Sequence, residues 1–500
     1  MAIEADVNEW RRRAAELTFR NRAFIDGKFV DAVSGETFDC ASPIDGRVLT
    51  SVVSCGEKDV DLAVAAARRA FEKGLWRNMA PKQRKKVLQR LADLLIENTE
   101  QLALLETLDM GKPIRFSTAV DIRTAAESIR WSAEAIDKLY GEVAPTSPDV
   151  LALVTWEPVG VVGVVVPWNF PLIMAAWKVG PALAAGNSIV LKPAEQSPLS
   201  AIWLAELAMK AGVPEGVLNV VPGFGHTAGR AIGLHRDIDF VGFTGSTEVG
   251  KMFLTYSGQS NMKGLSLECG GKSPNIVFSD APSLDAAAKA AAFGIFFNQG
   301  EMCTAGSRLL VQKGIKDEFL ARVVAIGKTM QAGDPLDPKV KMGAIVDEKQ
   351  MNRVLGYIRE GVSAGASLAM GGSQVRSETG GFYVEPTIFD EVRSDMTIAR
   401  DEIFGPVLSV LSFDDVEDAL RIANDTIYGL GAGVWTRDLG TAHQMSRRLE
   451  SGTVWVNCYD ASDDTVPFGG FKQSGIGADR SMHALKKFSQ LKTSWINVAA

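Results

Sequence analysis

Hydrophobic and polar positions change rhythm along this 500-residue chain. The opening stretch reads as an amphipathic helix. Phe24-Ile25-Asp26-Gly27-Lys28-Phe29-Val30 follows, where Asp-Gly between short apolar runs signals a hairpin. Apolar residues then recur at three- and four-residue spacing. Val60, Val64, Ala67 and Phe71 mark one helix; Val87, Leu88, Leu91, Leu94 and Leu95 mark another, opening at Pro81, a favoured first helical position. From about residue 151 the rhythm shortens. Runs rich in β-branched residues at 161–166, 188–192, 217–221 and 238–243 alternate with amphipathic segments near 171–185, 198–211, 226–235 and 247–257. Short links between them predict a parallel sheet covered on both faces, a doubly wound α/β layout that binds ligands beyond the strands' carboxyl ends. A second α/β unit is predicted from about residue 270, with strands at 275–278, 308–311, 407–413, 431–435 and 453–457. The last segment, 486–498, mixes charge with Thr493, Trp495, Ile496 and Val498. It reads as an edge strand, either on the surface or paired with another element or subunit.

Length agrees with this division, since roughly 100–200 residues per domain implies two or three domains. The chain is 46% hydrophobic and 23% charged, which excludes wholesale disorder. Its 53 basic and 60 acidic residues leave a net charge of −7, with no bulk attraction for nucleic acid or an anionic membrane. The longest apolar runs, 161–166 and 290–297, fall far short of the roughly 20 residues of a membrane helix. The N-terminal stretch lacks the apolar core of a signal peptide. A soluble, cytoplasmic protein is expected. Five cysteines, an odd number thinly spread, do not make a disulfide framework.

One cysteine stands in a suggestive place. Cys303 lies in Phe297-Asn-Gln-Gly-Glu-Met-Cys-Thr-Ala-Gly306, bracketed by Gly300 and Gly306 after an alanine-rich helical run. It is either a nucleophile exposed to a cleft or a small buried hydrophobe. Glu268 ends a β-like run just before Gly270-Gly271. It suits a base whose pKa burial raises toward working pH, or a salt bridge at a domain junction. Cys269 beside it points to the opposite face and reads as packing. His226, His235, His443 and His483 show no metal-ligand spacing, and no HExxH, paired CxxC or GxSxG occurs, so no metal is expected. Three features suggest a nucleotide. Gly223 to Ala228 formally matches the dinucleotide fingerprint, without an acid at a strand end some 20 residues on. Phe243-Thr-Gly-Ser246 ends a strand and opens a helix, so free N–H groups face an anion. Lys192 and Glu195 end another strand, in reach of ribose hydroxyls.

Taken in order, Pro167-Trp168-Asn169-Phe170-Pro171, Lys192-Pro-Ala-Glu195, Phe243-Thr-Gly-Ser246, Leu267-Glu268-Cys269-Gly270-Gly271-Lys272, Gly300-Glu-Met-Cys303, Glu402-Ile-Phe404-Gly-Pro406 and Pro467-Phe-Gly-Gly-Phe-Lys472 resemble the aldehyde dehydrogenase superfamily over nearly the whole chain. The resemblance implies a Rossmann-like cofactor domain (1–140 and 161–269), an α/β catalytic domain (270–485), and segments 141–160 and 486–500 that bridge subunits of a homo-oligomer, a dimer or tetramer. It implies that Cys303 attacks the aldehyde, that Asn169 holds the oxyanion and that Glu268 activates the water that releases a free acid. It implies NAD, with NADP possible, held by Pro167, Trp168, Lys192, Glu195, Gly225, Gly229, Phe243, Ser246, Gly270, Glu402 and Phe404. A carboxylate at Glu195 disfavours a 2′-phosphate.

The substrate tunnel implied by the resemblance is lined by Phe170, Met174, Trp177, Phe297, Met302 and Tyr459, suited to a carbon chain. Asp460, Asp463 and Asp464 share a loop at its mouth, with Asp121 opposite. These acids either anchor a cationic amino group or form a solvated loop. The chain looks most similar to bacterial enzymes oxidising ω-amino aldehydes and γ-glutamyl-γ-aminobutyraldehyde in polyamine breakdown. The alternatives are a broad-specificity aliphatic or aromatic aldehyde dehydrogenase and a cofactor-independent cysteine hydrolase.

Overall fold

Val161–Val165 is buried at every position, and so is Ser188–Lys192. Strands without a polar face need cover on both sides. In the computed structural model, which describes residues 5–499, they lie inside an eight-stranded sheet. Its order is Lys28–Val30, Ala23–Ile25, Leu218–Val220, Ser188–Lys192, Val161–Val165, Phe240–Thr244, Gly264–Glu268 and Gly475–Ile476. The middle strands pair in parallel, while the N-terminal hairpin and Gly475–Ile476 pair antiparallel. Strand order reverses between Val161–Val165 and Phe240–Thr244, which leaves a crevice at their carboxyl ends.

Helix Pro171–Ala185 begins on proline and ends at Gly186, whose φ of +101° lets the chain turn off the helix. Residues 226–235 do not form the single α-helix expected. The segment starts as a π turn over Gly225–Gly229 and continues as α over Arg230–Leu234, since glycines at both ends of that turn weaken the α ladder.

The second sheet has the order Ser367–Met370, Thr387–Asp390, Val407–Phe413, Arg308–Gln312, Pro274–Val277, Gly431–Trp435 and Thr453–Val456. All its pairings are parallel except the first. Only the link 269–273 separates its strand Pro274–Val277 from Gly264–Glu268 of the first sheet. A third sheet joins Ser489–Asn497 to Val150–Pro158 in antiparallel register, with Glu142–Ala144 on the far side. The C-terminal strand therefore has a partner within its own chain, and among the described residues its other edge is unpaired.

Among the described residues no helix is long and apolar enough to cross a membrane. Met1–Glu4 and Ala500, the outermost positions of the expected cofactor and bridging segments, lie outside the described residues.

Candidate active site

The loop that presents Cys303 is folded against its own preference. Asn298, Gln299 and Gly300 all take positive φ, at 48°, 57° and 71°. For non-glycine residues that costs on the order of 1–3 kcal/mol each and needs support from the surroundings. Asn298 Nδ2 supplies part of it, donating to the carbonyls of Asn169 at 3.0 Å and Glu301 at 3.1 Å. Gln299 Oε1 accepts from the Gly343 N–H at 3.0 Å. Gly300 has no room for a side chain, since a Cβ there would lie 2.2 Å from the Gly405 carbonyl oxygen. Cys303 then rests on the link between the sheets. A Cβ on Gly271 would lie 2.3 Å from the Cys303 carbonyl oxygen, and one on Gly270 would lie 2.1 Å from the Glu402 carboxylate.

A cavity of about 540 Å³ opens here. Its wall brings together Cys303, Asn169, Phe170, Met174, Trp177, Phe297, Met302 and Asp460 with Pro167, Trp168, Ser246, Gly270, Glu402 and Phe404. Asn169 is 4% exposed, and Nδ2 donates one hydrogen to the Glu301 carbonyl at 2.8 Å, leaving the other for the cavity. Burial pushes the Cys303 thiol well above its usual range, and the carboxylates of Glu402, Glu268 and Asp460 add to it. That environment favours the thiol over the thiolate.

Glu268, expected as the base, ends strand Gly264–Glu268 and is not among the residues of the cavity wall. It is 3% exposed, and neither carboxylate oxygen has a hydrogen-bond partner. Burial raises its pKa well above the carboxylate range. Asp479 adds to the rise, while Lys178 and Lys487 oppose it. Those three form a buried cluster. Lys178 Nζ donates to Asp479 Oδ2 at 2.7 Å, Lys487 pairs with Asp479 Oδ1, and Lys487 Nζ also donates to Ser266 Oγ at 3.1 Å. Burial alone would raise Asp479, but the two lysines hold it below its usual value. The sequence reading missed all three. Lys178 left a trace, as the lone charge in an otherwise apolar helix; Asp479 and Lys487 left none, because only the fold brings them there.

The residues expected at the cofactor divide into two groups. Ser246 caps helix Thr247–Gln259 and lines the cavity, so the helix's first N–H groups face it. Trp168 meets Phe404 edge-on, with centroids 5.2 Å apart. Glu402 accepts from the Gly271 N–H at 2.9 Å, and burial raises its pKa to about 7. Gln350 Nε2 fixes this segment through the carbonyls of Ile403 and Phe404, at 3.1 and 2.7 Å. Lys192, Glu195, Gly225 and Gly229 do not line this cavity. Lys192 Nζ donates to Glu195 Oε2 at 3.2 Å at the end of its strand, and Gly229 packs over the Lys192 stem. A dinucleotide spanning the switch crevice suits this arrangement, with an anion site at the helix terminus and a polar pair on a neighbouring strand end.

Several expectations need correction. Phe243 does not face the cavity; its ring packs on Phe253 at 5.0 Å, inside the core. Tyr459 lies behind the cysteine loop, its hydroxyl donating to the Thr304 carbonyl at 2.8 Å and its ring covering Gly294, Gly306 and Gly433. Asp121 is fully buried away from the cavity, because Lys112 takes its carboxylate. Of the acidic loop only Asp460 lines the cavity: Asp463 is exposed and accepts from Thr465, and Asp464 pairs with Arg480. Cys269, expected only to pack, is buried in the core and also borders the cavity. Cys40 and Cys55 are buried free thiols, and the described residues hold no cluster able to bind a metal.

A sequence profile of the aldehyde dehydrogenase family matches residues 29–494. The chain is 54% identical over 491 residues to the NADP/NAD-dependent aldehyde dehydrogenase PuuC of Escherichia coli, covering 98% of each chain. It superimposes on γ-glutamyl-γ-aminobutyraldehyde dehydrogenase from Burkholderia cenocepacia with a TM-score of 0.97 at 60% identity, over 99% of this chain and 100% of that one. An indole-3-acetaldehyde dehydrogenase variant from P. syringae, solved in complex with NAD+, gives a TM-score of 0.98 at 59% identity over the same shares.

Gly271→Ala tests the contact beneath the cysteine. The added methyl should displace the Cys303 backbone and lower kcat roughly 100-fold or more, while circular dichroism still reports a folded chain. Unchanged kcat would show that the contact does not position the cysteine.

Proposed function

This chain belongs to the aldehyde dehydrogenase family, whose members oxidise aldehydes to carboxylic acids, and we propose that it does so with Cys303 as nucleophile, Asn169 as oxyanion donor and Glu268 as base. The observation that carries the reading is Glu268 itself, a buried carboxylate with both oxygens unpartnered and its charge felt at Cys303. Cys303 Sγ bonds to the aldehyde carbon as thiolate, its proton leaving to solvent, so Glu268 stays ionised for the later step. The oxygen of the adduct gains negative charge, which Asn169 Nδ2 and the Cys303 N–H stabilise; losing one such donor typically costs about 10²–10³ in rate. Ser246, Glu402, Phe404, Lys192 and Glu195 would hold NAD, which would supply the hydride acceptor. The thioester left on Cys303 is hydrolysed by water whose proton Glu268 takes, freeing the acid and restoring the thiol. Glu195 disfavours a 2′-phosphate, but its ion pair with Lys192 softens the repulsion and leaves room for NADP. The first sheet is the cofactor domain, the second the catalytic one, and the enzyme is cytoplasmic.

The substrate is an ω-amino or γ-glutamylamino aldehyde. Phe170, Met174, Trp177, Phe297 and Met302 offer an apolar passage, and Asp460 places one carboxylate on its wall for a cationic tail. The γ-glutamyl-γ-aminobutyraldehyde relative supports this reading. A broad-specificity aliphatic or aromatic enzyme is the second reading, favoured by the aromatic lining and the indole-3-acetaldehyde relative. The enzyme forms a homo-oligomer, dimer or tetramer, through Ser489–Asn497. Leu491, Trp495 and Ile496 on that strand are exposed, an apolar edge of the kind that proteins cover.

Cys303→Ala should abolish NADH formation. Glu268→Gln should keep a burst of about one NADH per active site, followed by very slow turnover. In the wild-type enzyme, thioester hydrolysis should rise with pH through the raised Glu268 pKa, because only the carboxylate accepts a proton; in Glu268→Gln that limb should vanish. Full steady-state rate in Glu268→Gln would refute its role. Trp495→Glu should shift the protein to a smaller species on size exclusion; an unchanged elution volume would count against assembly through this edge.

A further inference from the structure

The chemistry uses neither arginine of the cavity wall: Arg353 donates to the Glu402 carbonyl at 2.9 Å, and Arg480 is held differently. Arg480 is only 7% exposed, yet it lines the cavity. Its Nε donates to Asp464 Oδ1 at 2.9 Å, and its guanidinium carbon lies 5.1 Å from the Trp177 ring centroid. Together these contacts fix the plane of the group. Neither Nη1 nor Nη2 has an acceptor among the described residues. A guanidinium carries five N–H donors in a rigid fork, and here the two outer nitrogens are neither bonded within the described residues nor sealed from the cavity. The backbone is strained here as well: Arg480, Ser481 and Asp460 hold φ values of 63°, 50° and 57°. The Ser481 N–H donates to the Asp464 carbonyl at 2.9 Å, tying the loop to the segment that bears the arginine. Strain maintained at several positions around one cavity wall marks a place where side-chain direction matters.

Asp460 supplies the opposite charge. Its Oδ1 accepts from Thr304 Oγ1 at 3.0 Å, and Arg480 is near enough to lower its burial-raised pKa, which stands at about 6. Asp464 matches Arg480 from the Nε side, so Asp460 is the unmatched charge. A tail bearing only an amino group would meet Asp460 and leave the fork empty. A tail bearing only a carboxylate would meet repulsion from Asp460. A tail bearing both fills both.

We infer that Arg480 and Asp460 form a head-group subsite for aldehydes whose far end is an α-amino acid, with the carboxylate bidentate on Nη1 and Nη2 and the ammonium on Asp460. This rests on the aldehyde dehydrogenase reading and narrows it, favouring a γ-glutamylamino aldehyde over a simple ω-amino aldehyde.

The test is kcat/KM with NAD for three aldehydes of similar length, ending in an α-amino acid, an amine or a methyl group. In Arg480→Gln the loss on the amino-acid tail should exceed the loss on the methyl-ended aldehyde by at least about tenfold, the scale of hydrogen bonds to a charged group. The effect should fall on KM rather than kcat, and Arg480→Lys should recover part of it. Asp460→Asn should weaken both amine-bearing substrates. Should Arg480→Gln fold poorly with Asp464 left alone, Arg480→Gln/Asp464→Asn removes both charges and is judged by the same ratio. Equal losses on all three substrates, or none on the amino-acid tail, would overturn the subsite. Wild-type protein that forms NADH from the methyl-ended aldehyde without favouring the amino-acid tail would overturn the subsite alone. No NADH from any aldehyde would overturn the dehydrogenase reading itself.

Discussion

The link 269–273 carries the chain from one sheet to the other, and Cys303 can rest on it only because position 271 has no Cβ. The rest of the site depends on that contact. Gly264–Glu268 ends immediately before the link, so a strand rather than a flexible loop places Glu268 where its charge acts on Cys303. Gly270 admits the Glu402 carboxylate, and the Gly271 N–H holds it. The strained turn at Asn298, Gln299 and Gly300 aims the cysteine from the other side. Cys303, Glu268 and the residues proposed for the nicotinamide end thus converge on one short stretch of backbone. A displacement of about 1 Å there can cost about 10²-fold in rate.

Charge in this region is managed by burial. Among the described residues Glu268 has no hydrogen-bond partner, and burial holds its pKa well above the carboxylate range. The cluster behind it, two lysines on one aspartate, carries an excess positive charge that limits how far that rise goes. Breaking a buried pair by removing one partner typically costs about 3–5 kcal/mol, so the cluster constrains stability as well as proton transfer. The proposed head-group end repeats the pattern, with Asp464 matching Arg480 and Asp460 left over.

Much of this was legible from sequence where one segment carries the signal. Strands buried on both faces give unbroken apolar runs, so Val161–Val165, Ser188–Lys192 and Val407–Phe413 stood out. Cys303, Glu268 and Asn169 sit within short motifs, and the cavity gathers Cys303 and Asn169 on its wall. Side-chain direction was harder. Phe243, Tyr459 and Asp121 occupy the right segments but turn inward, because packing on Phe253, a bond to the Thr304 carbonyl and the Lys112 ion pair decide their orientation. Lys178, Asp479, Lys487 and Arg480 escaped notice because their meanings are pairwise, and the partners lie far apart in sequence or on the neighbouring loop.

The central claim is that oxidation proceeds through a thioester on Cys303 that Glu268 is needed to clear. Its most direct test is the peptide mass of Glu268→Gln protein quenched in acid after mixing with NAD and an aldehyde. The account predicts one acyl group, added to the peptide containing Cys303. An unmodified Cys303 peptide, or the acyl group on any other residue, would contradict it.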